Sequence, residues 1–189
     1  MNPSRPGTRL RALDVLAALA FPLALLATAH HACAQSQFEE DFDDPYKPWE
    51  EVALQLPAPP QEQNLLPFEV SATATHTFAI DAKSLSVGTD GVIRYTLVTR
   101  SNAGARNVSY EGIRCATGEV KLYAFGHDDG SWSRSRRDRW EPINRHAANR
   151  HHAVLARGYL CQESAPSGPA DQIVYRLRQR VTLDPSFMH

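Results

Sequence analysis

Cysteine is scarce here, with three in 189 residues, and no two of them form a Cys-x-x-Cys redox pair. Other motifs are missing too. There is no Gly-x-Ser-x-Gly elbow and no His-Glu-x-x-His helix, which excludes a motif-borne serine nucleophile or zinc site. Gly88, Gly91 and Gly104 suit turns rather than a phosphate-cradling loop. There are no internal repeats. Excess charge of one sign is absent, since 20 Lys and Arg face 21 Asp and Glu. That balance gives no overall sign of a nucleic-acid partner. No cofactor motif is present. The N-terminal apolar run, Val15 to Ala29, has 15 residues broken by Pro22. A membrane span needs roughly 20.

What stands at the N-terminus instead has the layout of a secretory signal peptide over residues 1–34. Arg5, Arg9 and Arg11 supply the positive head, and Leu10 between the last two argues against twin-arginine export. Ala32-Cys33-Ala34 supplies the small residues of an exit site. Cleavage before Gln35 would leave 155 residues, enough for one domain, and would discard Cys33. Lipidation at Cys33 is the minor alternative, because His30, His31 and Ala32 suit it poorly. The expected location is the periplasm. The mature chain carries no transmembrane segment.

Residues 35–67 read as an acidic, proline-rich arm. From Gln35 to Glu62 there are eight acidic residues and one base, Lys47. Pro45, Pro48, Pro57, Pro59, Pro60 and Pro67 keep it extended. Two readings stay open: a solvated linker, or an arm docked through Trp49, Val52, Leu54, Leu65, Leu66 and Phe68.

Residues 68–189 read as a single α+β domain. Its antiparallel meander has about five strands, with one or two C-terminal helices packed on one face. Ile93, Tyr95 and Leu97 alternate with Arg94 and Thr96, the pattern of a half-buried strand. Thr89-Asp90-Gly91, Thr117-Gly118 and Asp128-Asp129-Gly130 are turn signals, and Gly112 marks an expected bulge. Asn144 is placed to cap a helix running to Tyr159. A second helix is expected from Pro169, with a strand over Ile173 to Leu177 as the alternative. Cys115 and Cys161, the pair left in an oxidising compartment, are expected to form a structural disulfide.

The stretch SLSVGTDGVIRYTLVTRSNAGARNVSYEGIRC, Ser84 to Cys115, resembles the cryptic neisserial protein-like (CNP1-like) family of small exported bacterial proteins. Tyr123, Gly126, Trp132, Trp140 and the segment Arg150 to Cys161 extend the resemblance. The family is of unknown function, so the resemblance carries over no catalytic residue. It implies an envelope location and a single domain.

The leading functional expectation is a non-catalytic envelope or partner-binding module. Its candidate ligand surface is Arg134, Arg136, Arg137 and Arg139, flanked by Trp132 and Trp140. Guanidinium groups grip phosphates and carboxylates, and indoles stack on planar or sugar groups. The expected partner is an anionic envelope component or another envelope protein. The alternative is a small periplasmic hydrolase built from scattered residues such as His127, Asp129 and Arg114. His146, His151 and His152 have the wrong spacing for a shared metal and read as solvent-facing or capping. Arg94, Glu111 and Arg114 are placed together on one exposed sheet face.

Overall fold

The computed structural model describes residues 48–144 and 150–184. The proposed signal peptide, Cys33, most of the acidic cluster, His146 and the first residues of the expected helix after Asn144 lie outside them.

One antiparallel sheet organises the chain. Its strands are β1 (Leu65–Phe68), β2 (His76–Asp81), β3 (Ser86–Val87), β4 (Val92–Ser101), β5 (Arg106–Arg114), β6 (Glu119–Gly126), β7 (Trp132–Arg134) and β8 (Glu141–Pro142). The spatial order is β1-β2-β4-β5-β6-β7, with β3 beside β4 and β8 beside β6. A small hairpin, β9 (Cys161–Gln162) with β10 (Ala165–Pro166), stands apart. Sequential strands pair because tight turns join them. Gly91, Gly104, Gly118 and Gly130 all hold positive φ at those turns, a region open to glycine at little cost. The sheet is wider than five strands because Leu65–Phe68, read from the sequence largely as arm, pairs with β2, and the short β3, β7 and β8 pair with β4 and β6.

Both helices cover one face. Helix α1 (Arg150–Leu155) continues as a π-helical turn, Ala156–Leu160, and α2 spans Ala170–Gln179. Ile173 and Leu177 of α2, with Leu155, Tyr159 and Leu160, bury against Phe68, Ile80, Ile93, Tyr95, Leu97 and Ile113 of the sheet. The helical period wins over the strand alternative at Ile173–Leu177 because this spacing aims both apolar side chains at the core. Each fully buried side chain of this kind is worth about 1.5–3 kcal/mol. Arg176 anchors α2 to the preceding loop, donating to Ser167 Oγ at 2.9 Å and to Ser167 O at 2.5 Å. The disulfide joins Cys115, just past β5, to Cys161, just past the π turn, with Cα atoms 5.5 Å apart.

The opposite face is covered by an irregular strap, residues 48–64. Trp49 Nε1 donates to Asp90 O at 2.9 Å, and Trp132 Nε1 donates to Pro57 O at 2.9 Å. Glu51 accepts from Lys121 Nζ at 3.0 Å and from the Tyr123 hydroxyl at 2.5 Å. Arg114 stacks on the Trp49 ring at 3.9 Å, and Leu54 packs against Tyr110, Tyr123 and Ala124. This cover explains why β4 is buried on both faces from Val92 to Val98, rather than half-buried. Arg94 is therefore interior. Its guanidinium meets Asp90 at 2.6 Å and Glu51 at 3.5 Å. Burial opposes the Asp90 charge, but Arg94 and the Val52 and Val92 amides outweigh it and hold that carboxyl below its ordinary value.

The bulge sits in β6 rather than at Gly112. Tyr110 pairs with Ala124 and Glu111 with Leu122, so Tyr123 is the extra residue. Gly112 serves a different purpose: a Cβ there would lie 2.6 Å from the Tyr123 hydroxyl. Its missing side chain makes room for the ring that holds Glu51. Among the described residues no helix is long and apolar enough to cross a membrane.

Candidate functional site

Glu111 is the most unusual side chain of the helix-side face. Cross-strand register puts it opposite Tyr95 on β4 and Leu122 on β6. Arg94 pairs with Gly112, and so belongs with Arg114 to the strap face. The three residues expected on one exposed face are thus split, because directly opposed residues share a face and neighbours along a strand do not.

Three donors converge on the buried Glu111 carboxylate. Ser109 Oγ donates to Oε1 at 2.6 Å, and the Tyr95 hydroxyl donates to Oε2 at 3.2 Å. His152 Nε2 lies 2.8 Å from Oε2. Burial alone would raise the Glu111 carboxyl; the charge and hydrogen bond of His152 and the hydroxyl of Ser109 outweigh it and hold it below its ordinary value. An ionised carboxylate can only accept, so His152 Nε2 carries the proton. His152 Nδ1 is buried without a partner.

The neighbouring His151 lies flat on Phe78, ring centroids 4.8 Å apart, and its ring is 3.9 Å from that of His152. Burial, then the neighbouring His152, depress its titration to about 4, against a smaller opposing pull from Glu111. Neither histidine is solvent-facing. Helix α1 turns both onto the sheet, where the apolar ring of Phe78 and the charge of Glu111 receive them.

Two cavities meet at this pair. One, of about 160 Å³, is lined by Glu111, His152, Val120, Leu122, Arg137 and Arg139. The other, of about 520 Å³, shares Glu111, Leu122 and His152 and extends past Ser109 and Asn107 to His76 and Phe78. Chemically the arrangement fixes a carboxylate and an imidazole at the junction. The Ser109 hydroxyl donates to Glu111 rather than to the histidine, and a carboxyl held below its ordinary value is a weak base for it.

The arginine and tryptophan stretch divides between the two faces. Trp132 packs edge-on to Tyr110, and Trp140 packs edge-on to Tyr123 and to Trp49. Both indoles belong to the strap side. Arg134, Arg136, Arg137 and Arg139 are exposed. Of these four, Arg137 and Arg139 line the smaller cavity, and Arg139 is paired with Glu141 at 3.0 Å. Arg137 has no side-chain partner among the described residues. Lys121 holds Asp138 at 2.7 Å and so pins the loop.

The hydrolase set does not assemble. His127 and Asp129 occupy the turn after β6, where Asp129 accepts from Ser131 N and Oγ at 2.9 and 2.6 Å. Arg114 pairs with Glu119 at the opposite end of the same hairpin, six residues along β5 from the Gly126 partner Val108. Six residues of strand span roughly 20 Å. Among the described residues no three His, Cys, Asp or Glu side chains gather to hold a metal ion.

Sequence reasoning did not bring Glu111 and His152 together. The usable signal was a carboxylate two residues from Ser109 and two from Ile113 on the same strand phase, an acid placed on a core-facing row. The partner histidine is 41 residues away, and no spacing rule reaches it.

Residues 44–178 match the CNP1-like family. Over 116 residues the chain is 34% identical to Cryptic neisserial protein 1 of Neisseria gonorrhoeae (strain ATCC 700825 / FA 1090), covering 53% of this chain and 55% of that protein. The chain spans about half the length of that relative. No solved structure matches it. The matched range takes in the strap, the whole sheet, the Glu111–His152 pair and both bridged cysteines, and the chain belongs to the CNP1-like family.

Proposed function

We propose that this is an exported, periplasmic, non-catalytic protein that binds an anionic component of the cell envelope at the Arg137 end of the helix-side cleft. The observation that carries the reading is Arg137 itself: a guanidinium unpaired among the described residues, lining the cavity that ends on the Glu111–His152 pair. A guanidinium with no protein carboxylate is free to grip a phosphate or carboxylate with two parallel hydrogen bonds. The lowered carboxyl of Glu111, a weak base for the Ser109 hydroxyl, supports binding over catalysis. Export rests on the charged head, apolar run and small-residue exit of residues 1–34.

Arg137→Ala should reduce retention on isolated, negatively charged envelope fragments about tenfold, the cost of one charge-assisted pair. Arg134→Ala, on β7 and outside the cleft, should leave retention within twofold. Equal retention by Arg137→Ala would reject the site. Fractionation by osmotic shock, with N-terminal sequencing of the released chain, tests the location; the expected first residue is Gln35.

A further inference from the structure

The cleft continues well beyond Arg137. The cavity of about 520 Å³ crosses the sheet from Leu122 and Phe125 on β6, over Ser109 and Asn107 on β5 and Thr99 on β4, to His76 and Phe78 on β2. Register shows that these residues lie in two rows on one face: Phe78, Thr99 and Asn107 oppose one another, as do Leu97, Ser109 and Phe125. Two further cavities open from His76 and Phe78. One, of about 280 Å³, reaches Arg150, and the other, of about 640 Å³, reaches Arg180. The result is a trough running perpendicular to the strands. Three strand spacings from β2 to β6 give roughly 14 Å, and the end cavities add to that.

The lining alternates in character. The Ser109 hydroxyl sits between Leu97 and Phe125 in one row, and Thr99 and Asn107 follow Phe78 in the other. Phe125 is 38% exposed and stacks on no other ring among the described residues, a platform in the floor. The ionised Glu111 lies at the junction of the cavities, and the arginines sit toward the ends. Glu111 is satisfied by three donors and Glu141 by Arg139. That leaves Arg137 at one end, with Arg150 and Arg180 at the other, against Glu69 beside Arg180.

We infer that the trough binds an acidic oligosaccharide lengthwise, with its anionic groups at Arg137 and Arg150 and its sugar rings over the floor between them. This inference rests on the anion-binding reading above and names the ligand class. Sugar rings carry an apolar C–H face beside hydroxyls, which matches a floor of ring, methyl and hydroxyl side by side. An acyl chain would need an enclosed apolar cavity, whereas this floor is open and interrupted by the polar groups of Thr99, Asn107 and Ser109. A linear acidic sugar also explains why cations are confined to the two ends.

The test is calorimetric titration of the full chain with oligogalacturonates from monomer to hexamer, with neutral malto-oligomers and oligothymidylate as controls. Affinity should climb with length and level off once the oligomer spans the trough. Arg137→Gln and Arg150→Gln should each weaken the hexamer about tenfold, and Phe125→Ala should remove most of the gain from the middle units. Only Arg137→Gln should weaken the monomer, since a single unit cannot reach Arg150. Affinity independent of length, yet still dependent on Arg137, would overturn the trough and leave the anion site standing. Oligothymidylate binding as tightly as the hexamer would overturn the ligand class. No binding of any acidic oligomer, with Arg137-dependent retention on envelope fragments intact, would also reject the sugar. Loss of both would sink the underlying site.

Discussion

Glu111 holds more interactions than any other carboxylate on the helix side, and removing its charge should be costly. Glu111→Gln leaves His152, Tyr95 and Ser109 to share a neutral amide, and the amide nitrogen opposes one of those donors. We expect a loss of about 3 kcal/mol, read from the urea midpoint, as for other broken buried pairs. His151 carries a pH dependence whose sign follows from its depressed titration. In the unfolded chain it gains its proton near the ordinary value of 6.5, whereas the folded protein resists until about 4. The unfolded state therefore binds more protons in that window. Stability is fully present above 6.5 and falls as pH drops toward 4, by at most about 3 kcal/mol. Glu111 has the lowered carboxyl of a stabilised anion, so its contribution is lost at lower pH still, below its ordinary value of 4.5. His151→Phe keeps the ring on Phe78 and removes the proton. Its urea midpoint should fall less steeply than that of the wild type between pH 7 and 4.5, and parallel curves would reject the assignment.

At the scale of elements, the strap is the piece most open to experiment. Its hold rests on a few side chains, chiefly Glu51 on Lys121 and Tyr123 and Trp49 on Asp90 and Arg114. Glu51→Ala should cost about 1–2 kcal/mol by leaving Lys121 and Tyr123 short of a partner. Limited proteolysis should then cut within residues 48–60 faster, while the sheet and both helices survive. An unchanged cutting rate would show that the apolar contacts of Leu54 suffice. The strands were legible because each hairpin turn carries a glycine, two of them after aspartate, and because the strands alternate. Leu65–Phe68 was not, because four residues containing Pro67 resemble the proline-rich segment before them. The covering of β4 was equally hidden. Arg94 looks like a solvent-side residue in the sequence, and a strap arriving from 42 residues upstream makes it interior.

For the molecule as a whole, the disulfide ties sheet to helices across 46 residues of sequence. Loop closure over that span is worth about 4 kcal/mol in the chain-entropy picture. Cys115→Ser should therefore lower the thermal midpoint by roughly 10 °C under oxidising conditions, measured by calorimetry. An unchanged midpoint would mean that apolar packing alone fixes the helices. This bridge was legible because it needs only two cysteines and a compartment. The α+β class was legible from strand alternation followed by helical spacing. The cleft was not, because Glu111 and His152 come from distant segments, and because the arginine stretch keeps its indoles on one face while sending Arg137 and Arg139 to the other. A run of neighbours in sequence had looked like one surface.

The strap also imposes an order in time. Glu51 leaves the ribosome 70 residues before Lys121 and 72 before Tyr123. The earliest part of the described chain thus cannot settle before β6 is in place, and its closure reports that β6 is paired. A chain damaged in β6 would keep this acidic segment open, an extended target for any protease in its compartment, while a finished one withdraws it.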